Sequence, residues 1–306
     1  MKKWLLLSSS IIPFVLVSCT QTPKKDTPTN ENTNVLDALN SYLFTNDKTT
    51  QKQYYLEQNA ISKNLFLELN YALYWFPLYY ISSQNRNDSF ANLTLSSKKI
   101  IENALTKNWY WFLKNITRFE FVLNPYGDKF QSSDLENAIF EKGNKDKKIL
   151  LNIKDNLQKV IIKDFALPNS TNQLSNTKFV YFLFGDNKVV SAVLYNKDNI
   201  NFFNLTGDVL EFEGKLSINE IQKQLDSIQN SMIQIYQQKI KEEIDYLKLL
   251  DSSEEEINLF LTSVNDLNFF KLFTLNGYNQ IISQTFQELF DKNIFSRYTL
   301  RKVNYD

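Results

Sequence analysis

Four charged residues have a spacing that could support metal-assisted chemistry: Asp208, then Glu211, Glu213 and Lys215 in the run Glu211-Phe212-Glu213-Gly214-Lys215. Carboxylates so placed would hold Mg²⁺, and the lysine would stabilise charge on a phosphodiester under attack. The spacing also argues against this. Asp208 lies only five residues before Glu213 on a predicted turn, whereas such sites draw their acids from separate strands. Acids and a lysine along a solvated edge strand explain the run better, so no catalytic residue, metal or cofactor is assigned. Composition narrows the chemistry further. The 306 residues contain no histidine, which excludes a Ser-His-Asp triad, a Cys-His dyad and imidazole metal ligation. One cysteine excludes an intrachain disulfide and a thiolate zinc cluster. Six glycines leave little material for phosphate-cradling loops. A formal net charge of zero argues against a nucleic-acid binder.

The second group of candidates is aromatic. Tyr71, Tyr74-Trp75-Phe76 and Tyr79-Tyr80 form one cluster, and Trp109-Tyr110-Trp111-Phe112 forms another. Flat rings stack on sugars or anchor a protein partner with large contact area and few rotors to freeze. Trp75, Trp109, Tyr110 and Trp111 are therefore a candidate binding platform. The competing reading is that the two segments pack on each other and on the following strand as core. Four successive aromatics point around the whole circumference of a helix, so they cannot all face one layer.

The single cysteine sits in a telling place. Met1-Lys2-Lys3 precedes an apolar run from Trp4 to Val17, broken by Ser8–Ser10 and Pro13, and the run ends Leu16-Val17-Ser18-Cys19. Two cations and a run of this length match a secretory signal peptide and fall short of a transmembrane span. The ending resembles the bacterial lipobox. That resemblance implies diacylglycerol on the Cys19 thiol and cleavage that leaves Cys19 first. Two or more acyl chains anchor stably where one does not. Loss of residues 1–18 removes Lys2 and Lys3 and leaves the chain mildly acidic. Thr20–Asn34 carries no apolar residue and reads as a disordered tether.

The stretch Asn108-Trp109-Tyr110-Trp111-Phe112-Leu113-Lys114-Asn115, continuing through Phe119 and Phe121 to Asn124-Pro125-Tyr126-Gly127, resembles mycoplasma surface lipoproteins described by an aromatic cluster or aromatic motif. The lipobox, the length and the Asn- and Lys-rich composition are similar as well. The resemblance implies location and class. It carries over no catalytic residue.

Hydrophobic periodicity gives the elements behind these candidates. Apolar steps of three and four predict a helix over 35–45 and a longer one over about 50–80, ended early by Pro77, with a polar loop at Ser82–Asp88. Helix returns from Ser96 to about Ile116. Alternation over 118–123 predicts a strand closed by a type I turn at Asn124–Gly127. Residues 133–165 read as helical around a charged loop at Lys142–Lys148. From Lys178 the pattern is a four-stranded meander: Phe179–Phe184, a turn at Gly185-Asp186-Asn187, Val189–Tyr195, a turn at Asn196–Asn199, Ile200–Leu205, a turn at Thr206-Gly207-Asp208, and Val209–Glu213. Ser217 and Glu220 form a capping box for one helix to Leu250, whose seam reads as packing within the chain rather than a coiled-coil dimer. Ser253 and Glu256 cap another helix, and short helices are predicted at about 266–274 and 278–291.

The expectation is an α+β protein, mostly helical, with one small antiparallel meander of four to five strands. Residues 1–18 form the signal peptide, 19–34 the lipidated cysteine and tether, and 35–306 a single domain. The function expected is a non-enzymatic, monomeric surface lipoprotein at the outer face of the cell membrane. Its partners would be the bilayer through Cys19 and a host protein or glycan, with no nucleic acid. A transporter's substrate-binding lipoprotein is the second reading, although the chain lacks alternating βα units. A surface hydrolase or nuclease is the third, since carboxylate pairs need no histidine.

Overall fold

In the computed structural model the described residues are 33–75, 91–123, 150–164, 177–197, 200–263 and 295–305. Five helices come first: α1 (Thr33–Leu43), α2 (Lys48–Asn59), α3 (Asn64–Trp75), α4 (Ala91–Leu105) and α5 (Trp109–Lys114). A short 3₁₀ turn at Ile116–Arg118 leads into strand β1 (Phe119–Leu123). Strands β2 (Leu150–Asn152), β3 (Leu157–Asp164), β4 (Lys178–Phe184), β5 (Lys188–Lys197) and β6 (Ile200–Phe212) follow. Helices α6 (Ile218–Leu249) and α7 (Glu254–Ser263) and strand β7 (Phe295–Val303) complete the described elements.

The strands form one antiparallel seven-stranded sheet in the order β2-β1-β7-β6-β5-β4-β3. Both faces are covered, which explains the nearly continuous apolar run of β4. Val180, Phe182 and Phe184 point into a core shared with α1, α3, α4 and α5. Phe179, Tyr181 and Leu183 point the other way, against Ile221, Leu225 and Ile228 of α6. The layers are thus helices, sheet, helix. Across the first layer α1 lies against β3 and α3 against β7, where Asn70 Oδ1 accepts a hydrogen bond from Val303 N at 3.1 Å.

The α+β class agrees with the sequence, but the sheet is larger than a four- to five-stranded meander. Leu150–Asp164 reads as helix because its apolar residues fit a 3.6-residue period as well as a 2-residue one. Only pairing to β1 and β4 decides between them. β7 escaped notice because both faces of its strand are buried, so its polar Arg297 and Thr299 break any simple alternation.

The turn expected at Thr206-Gly207-Asp208 is a bulge inside one 13-residue strand. Val190 faces Val209 while Ala192 faces Leu205, so β6 fits three residues opposite the single Ser191. Gly207 takes φ 79°, a left-handed value that glycine accepts without strain, and it absorbs the excess without reversing the chain. The β4–β5 hairpin has its predicted turn, with Phe184 opposite Lys188 and Gly185 at φ 60°.

Two predicted helices are each divided in two. The 50–80 pattern breaks at Ala60–Lys63, where Ser62 Oγ accepts from Asn64 N. The 96–116 pattern breaks between α4 and α5, where Asn108 N bonds to Asn103 O at 2.8 Å. A hydrophobic period runs through both breaks because it does not register short polar caps. The two capping boxes form as read. Ser217 N donates to Glu220 Oε2 at 2.8 Å, and Ser253 N to Glu256 Oε2 at 2.8 Å. The signal peptide, Cys19, the tether, Pro77, the Ser82–Asp88 loop, the Asn124–Gly127 turn, the Lys142–Lys148 loop and the helices at 266–274 and 278–291 lie outside the described residues.

Candidate functional site

Helix α5 has only six residues, and four of them are aromatic. It accommodates rings around its whole circumference because other elements surround it. Trp109 stacks on Tyr54 of α2 with ring centroids 5.8 Å apart and meets Phe203 of β6 edge-on at 5.1 Å. It also lies 6.4 Å from Phe182 of β4. Trp111 points away from these, toward Phe66 of α3 at 4.8 Å and Phe119 of β1 at 6.1 Å. Phe112 packs on Phe119 at 4.7 Å. Tyr110, half-buried, sets its ring edge-on to Tyr55 at 4.5 Å. One short helix thereby joins two other helices to three strands.

The polar atoms of this cluster are matched as carefully as its rings. Gln58 is buried, and its side-chain oxygen accepts from the backbone N–H of Trp111 at 3.2 Å. Tyr54 Oη donates to Lys107 O at 3.1 Å, and Tyr55 Oη to Asn40 Oδ1 at 2.6 Å. Burial pushes both phenols well above the ordinary tyrosine range. They remain protonated donors, which suits them to packing and disqualifies them as bases at neutral pH.

The exposure of each ring decides between platform and core. Trp109 is 4% exposed and Trp111 3%. Neither ring can stack on a solvent-borne ligand in this fold, so both belong to the core. Tyr110 keeps part of its ring at the surface. The Trp75 side chain lies outside the described residues.

The carboxylate constellation disperses. Asp208 sits opposite Thr299 in the β6–β7 ladder, on the sheet face of Phe212 and Phe295. It accepts from Arg297 Nε at 2.9 Å and from Thr299 Oγ1 at 3.2 Å, and Arg297 Nη2 is 2.8 Å away. Arg297 is 1% exposed. Burial raises the Asp208 carboxyl above its usual range, against the opposing pull of Arg297 and Thr299. Glu211 faces the other side of the strand beside Tyr298, whose phenol burial and that carboxylate push up to about 12. Glu213 and Lys215 are exposed, and Lys215 pairs with Asp186 at 3.6 Å. The acids do not converge on one point. Among the described residues no group of three or more acids or thiols could hold a metal ion.

Sequence reasoning named Asp208 but missed both its partners, and it missed Gln58. A glutamine or threonine at an apolar position of an amphipathic pattern is the only trace such residues leave. An arginine near a chain end leaves none.

The described molecule is a histidine-free α+β domain of three layers, organised around an aromatic cluster on one short helix. No helix among the described residues is long and apolar enough to cross a membrane. Residues 18–248 match the family model described as aromatic cluster surface protein, and the chain belongs to that family. It is accordingly a surface protein. No curated protein and no solved structure matches it.

Proposed function

We propose that the protein is a surface lipoprotein of mycoplasma type, held to the outer face of the cell membrane by acyl chains on Cys19. The observation that carries this reading is the position of the single cysteine, at the end of the apolar run in Leu16-Val17-Ser18-Cys19. Support comes from the family match, which describes surface proteins and opens at residue 18, one residue before Cys19. In this reading the domain is monomeric and non-enzymatic and serves contact with a host protein or glycan. The dispersal of Asp208, Glu211, Glu213 and Lys215 over two faces and a loop supports contact over hydrolysis.

Radiolabelled palmitate tests the anchor. Wild-type protein takes up label and Cys19→Ser does not, and it floats with membranes where the variant does not. Equal labelling of the two overturns the reading.

A further inference from the structure

Helix α6 is 32 residues long, about 48 Å at 1.5 Å per residue. Its sheet-facing line is Ile221, Leu225, Ile228 and Ile235, all buried. At helical spacing the same line continues to Tyr246 and Leu250. These two are exposed, because in the second half of α6 the inward face shifts to Ile240, which packs on the core with Phe260 of α7, and to the half-buried Ile244 and Leu247. Leu249 beside them is 81% exposed, and Leu259 on α7, just past the turn, is 65% exposed. Isolated surface leucines need no explanation, but several around one turn do.

The turn itself is firmly built. Asp251 takes φ 54°, Asp251 N bonds to Lys248 O, and Ser252 N bonds to Leu247 O. The Ser253–Glu256 box then starts α7. The apolar side chains are therefore presented by ordered backbone. Their surroundings are acidic: between Glu242 and Glu256 the sequence has seven carboxylates and one ammonium, Lys248.

We propose that the α6–α7 turn is a docking surface for a basic amphipathic segment of a partner protein. Leucine and tyrosine side chains on one stripe, with lysine or arginine along its borders, complement this surface in both apolarity and sign. The acidic border disfavours an anionic lipid surface. It also disfavours a second copy of the same turn, which would bring like charges together. This names the partner class for the contact role proposed above and rests on that role. It does not depend on lipidation.

The test uses the chain from Thr20 onward, which keeps every described element, so a failed anchor cannot be mistaken for a failed surface. The probe is a labelled helical peptide of about 18 residues made of leucine and lysine at amphipathic spacing, followed by fluorescence anisotropy. Saturable binding is expected. Leu249→Ser with Leu259→Ser should weaken it about tenfold, as loss of apolar anchors does. Glu254→Gln with Glu255→Gln should weaken it severalfold and flatten its salt dependence. All four side chains are exposed, so unchanged circular dichroism and melting temperature should show that the variants fold. Absence of binding, or equal binding of a lysine–serine peptide, overturns the proposal. So does a wild-type dimer that Leu249→Ser disperses, or preferential binding to phosphatidylglycerol vesicles. Protection of Leu249→Cys and Leu259→Cys from a charged maleimide would mean that the chain covers the surface itself, and also overturns it.

Discussion

The buried Asp208–Arg297 pair allows a prediction in which sign and size both follow from geometry. Arg297 reaches Asp208 through Nε at 2.9 Å and Nη2 at 2.8 Å, and Thr299 adds a third contact at 3.2 Å. Both side chains are nearly sealed from water. Asp208→Ala strands a guanidinium that cannot shed its charge, and should cost about 3–5 kcal/mol. A whole domain is worth only about 5–15 kcal/mol, so this is a large share. Arg297→Met strands a carboxylate, which has an escape: it can take up a proton. Burial already raises Asp208 in the presence of Arg297, and without the guanidinium the push is stronger. A raised folded-state value means stability that is present below the unfolded value of 3.8 and lost as pH rises through the folded one. Arg297→Met should therefore be less destabilised in mildly acidic buffer than at neutral pH, whereas Asp208→Ala should not show that relief. The double variant Asp208→Ala/Arg297→Met removes both charges and should recover at least about 2 kcal/mol over the sum of the singles. Urea unfolding followed by circular dichroism at two pH values measures all of this. A coupling energy below about 1 kcal/mol, or identical pH dependence of the two singles, would refute the reasoning.

Two further outcomes follow from the aromatic layer. Trp109→Ala should destabilise the domain by about 3–5 kcal/mol, because its ring touches α2, β4 and β6, and a glycan or host-protein array should show no specific signal lost beyond what unfolding removes. The phenols of Tyr54, Tyr55 and Tyr181 are all raised, chiefly by burial, from the ordinary tyrosine value of 10.0. Stability should be complete below pH 10 on their account and fall above it, with part of the phenolate absorbance appearing only as far-ultraviolet dichroism is lost. Smooth native-state ionisation of every tyrosine would contradict their burial.

What could be read in the sequence depended on how local the signal was. The β4–β5 hairpin and both capping boxes were legible because each is written in a few adjacent residues: Gly185-Asp186-Asn187, Ser217 with Glu220, Ser253 with Glu256. β3 and β7 were not, because a strand buried on both faces or lying at an edge takes its identity from its neighbours. Gly207 reads as part of a turn, but its left-handed φ serves a turn and a bulge alike. The pairing of Val190 with Val209 tells them apart. The Asp208 site failed for a related reason. An acid three residues from another acid on a strand lies on the opposite face, so proximity in sequence worked against convergence in space. Trp109 and Trp111 posed the opposite difficulty. A buried ring and a binding ring look the same in sequence, and the surrounding α2, α3 and sheet decide.

That surrounding also gives the aromatic cluster its physical purpose. A surface domain with one cysteine has no intrachain disulfide to restrain its unfolded state, so packing must supply what a crosslink supplies elsewhere. Aromatic side chains bury about 150–250 Å² each, more than any aliphatic residue, and their edge-to-face contacts add to that area. Concentrating them on α5 lets its tryptophans reach elements remote in sequence: Trp109 reaches Tyr54 and Phe203, and Trp111 reaches Phe66. Unlike a disulfide, these contacts leave the unfolded chain unrestrained, so the buried ring area must itself offset the entropy of closing long loops. A helix with rings on one side only would fix itself to a single layer. α5 carries them all round and so ties the helical layer to the sheet, which leaves contact with other molecules to surfaces outside the cluster.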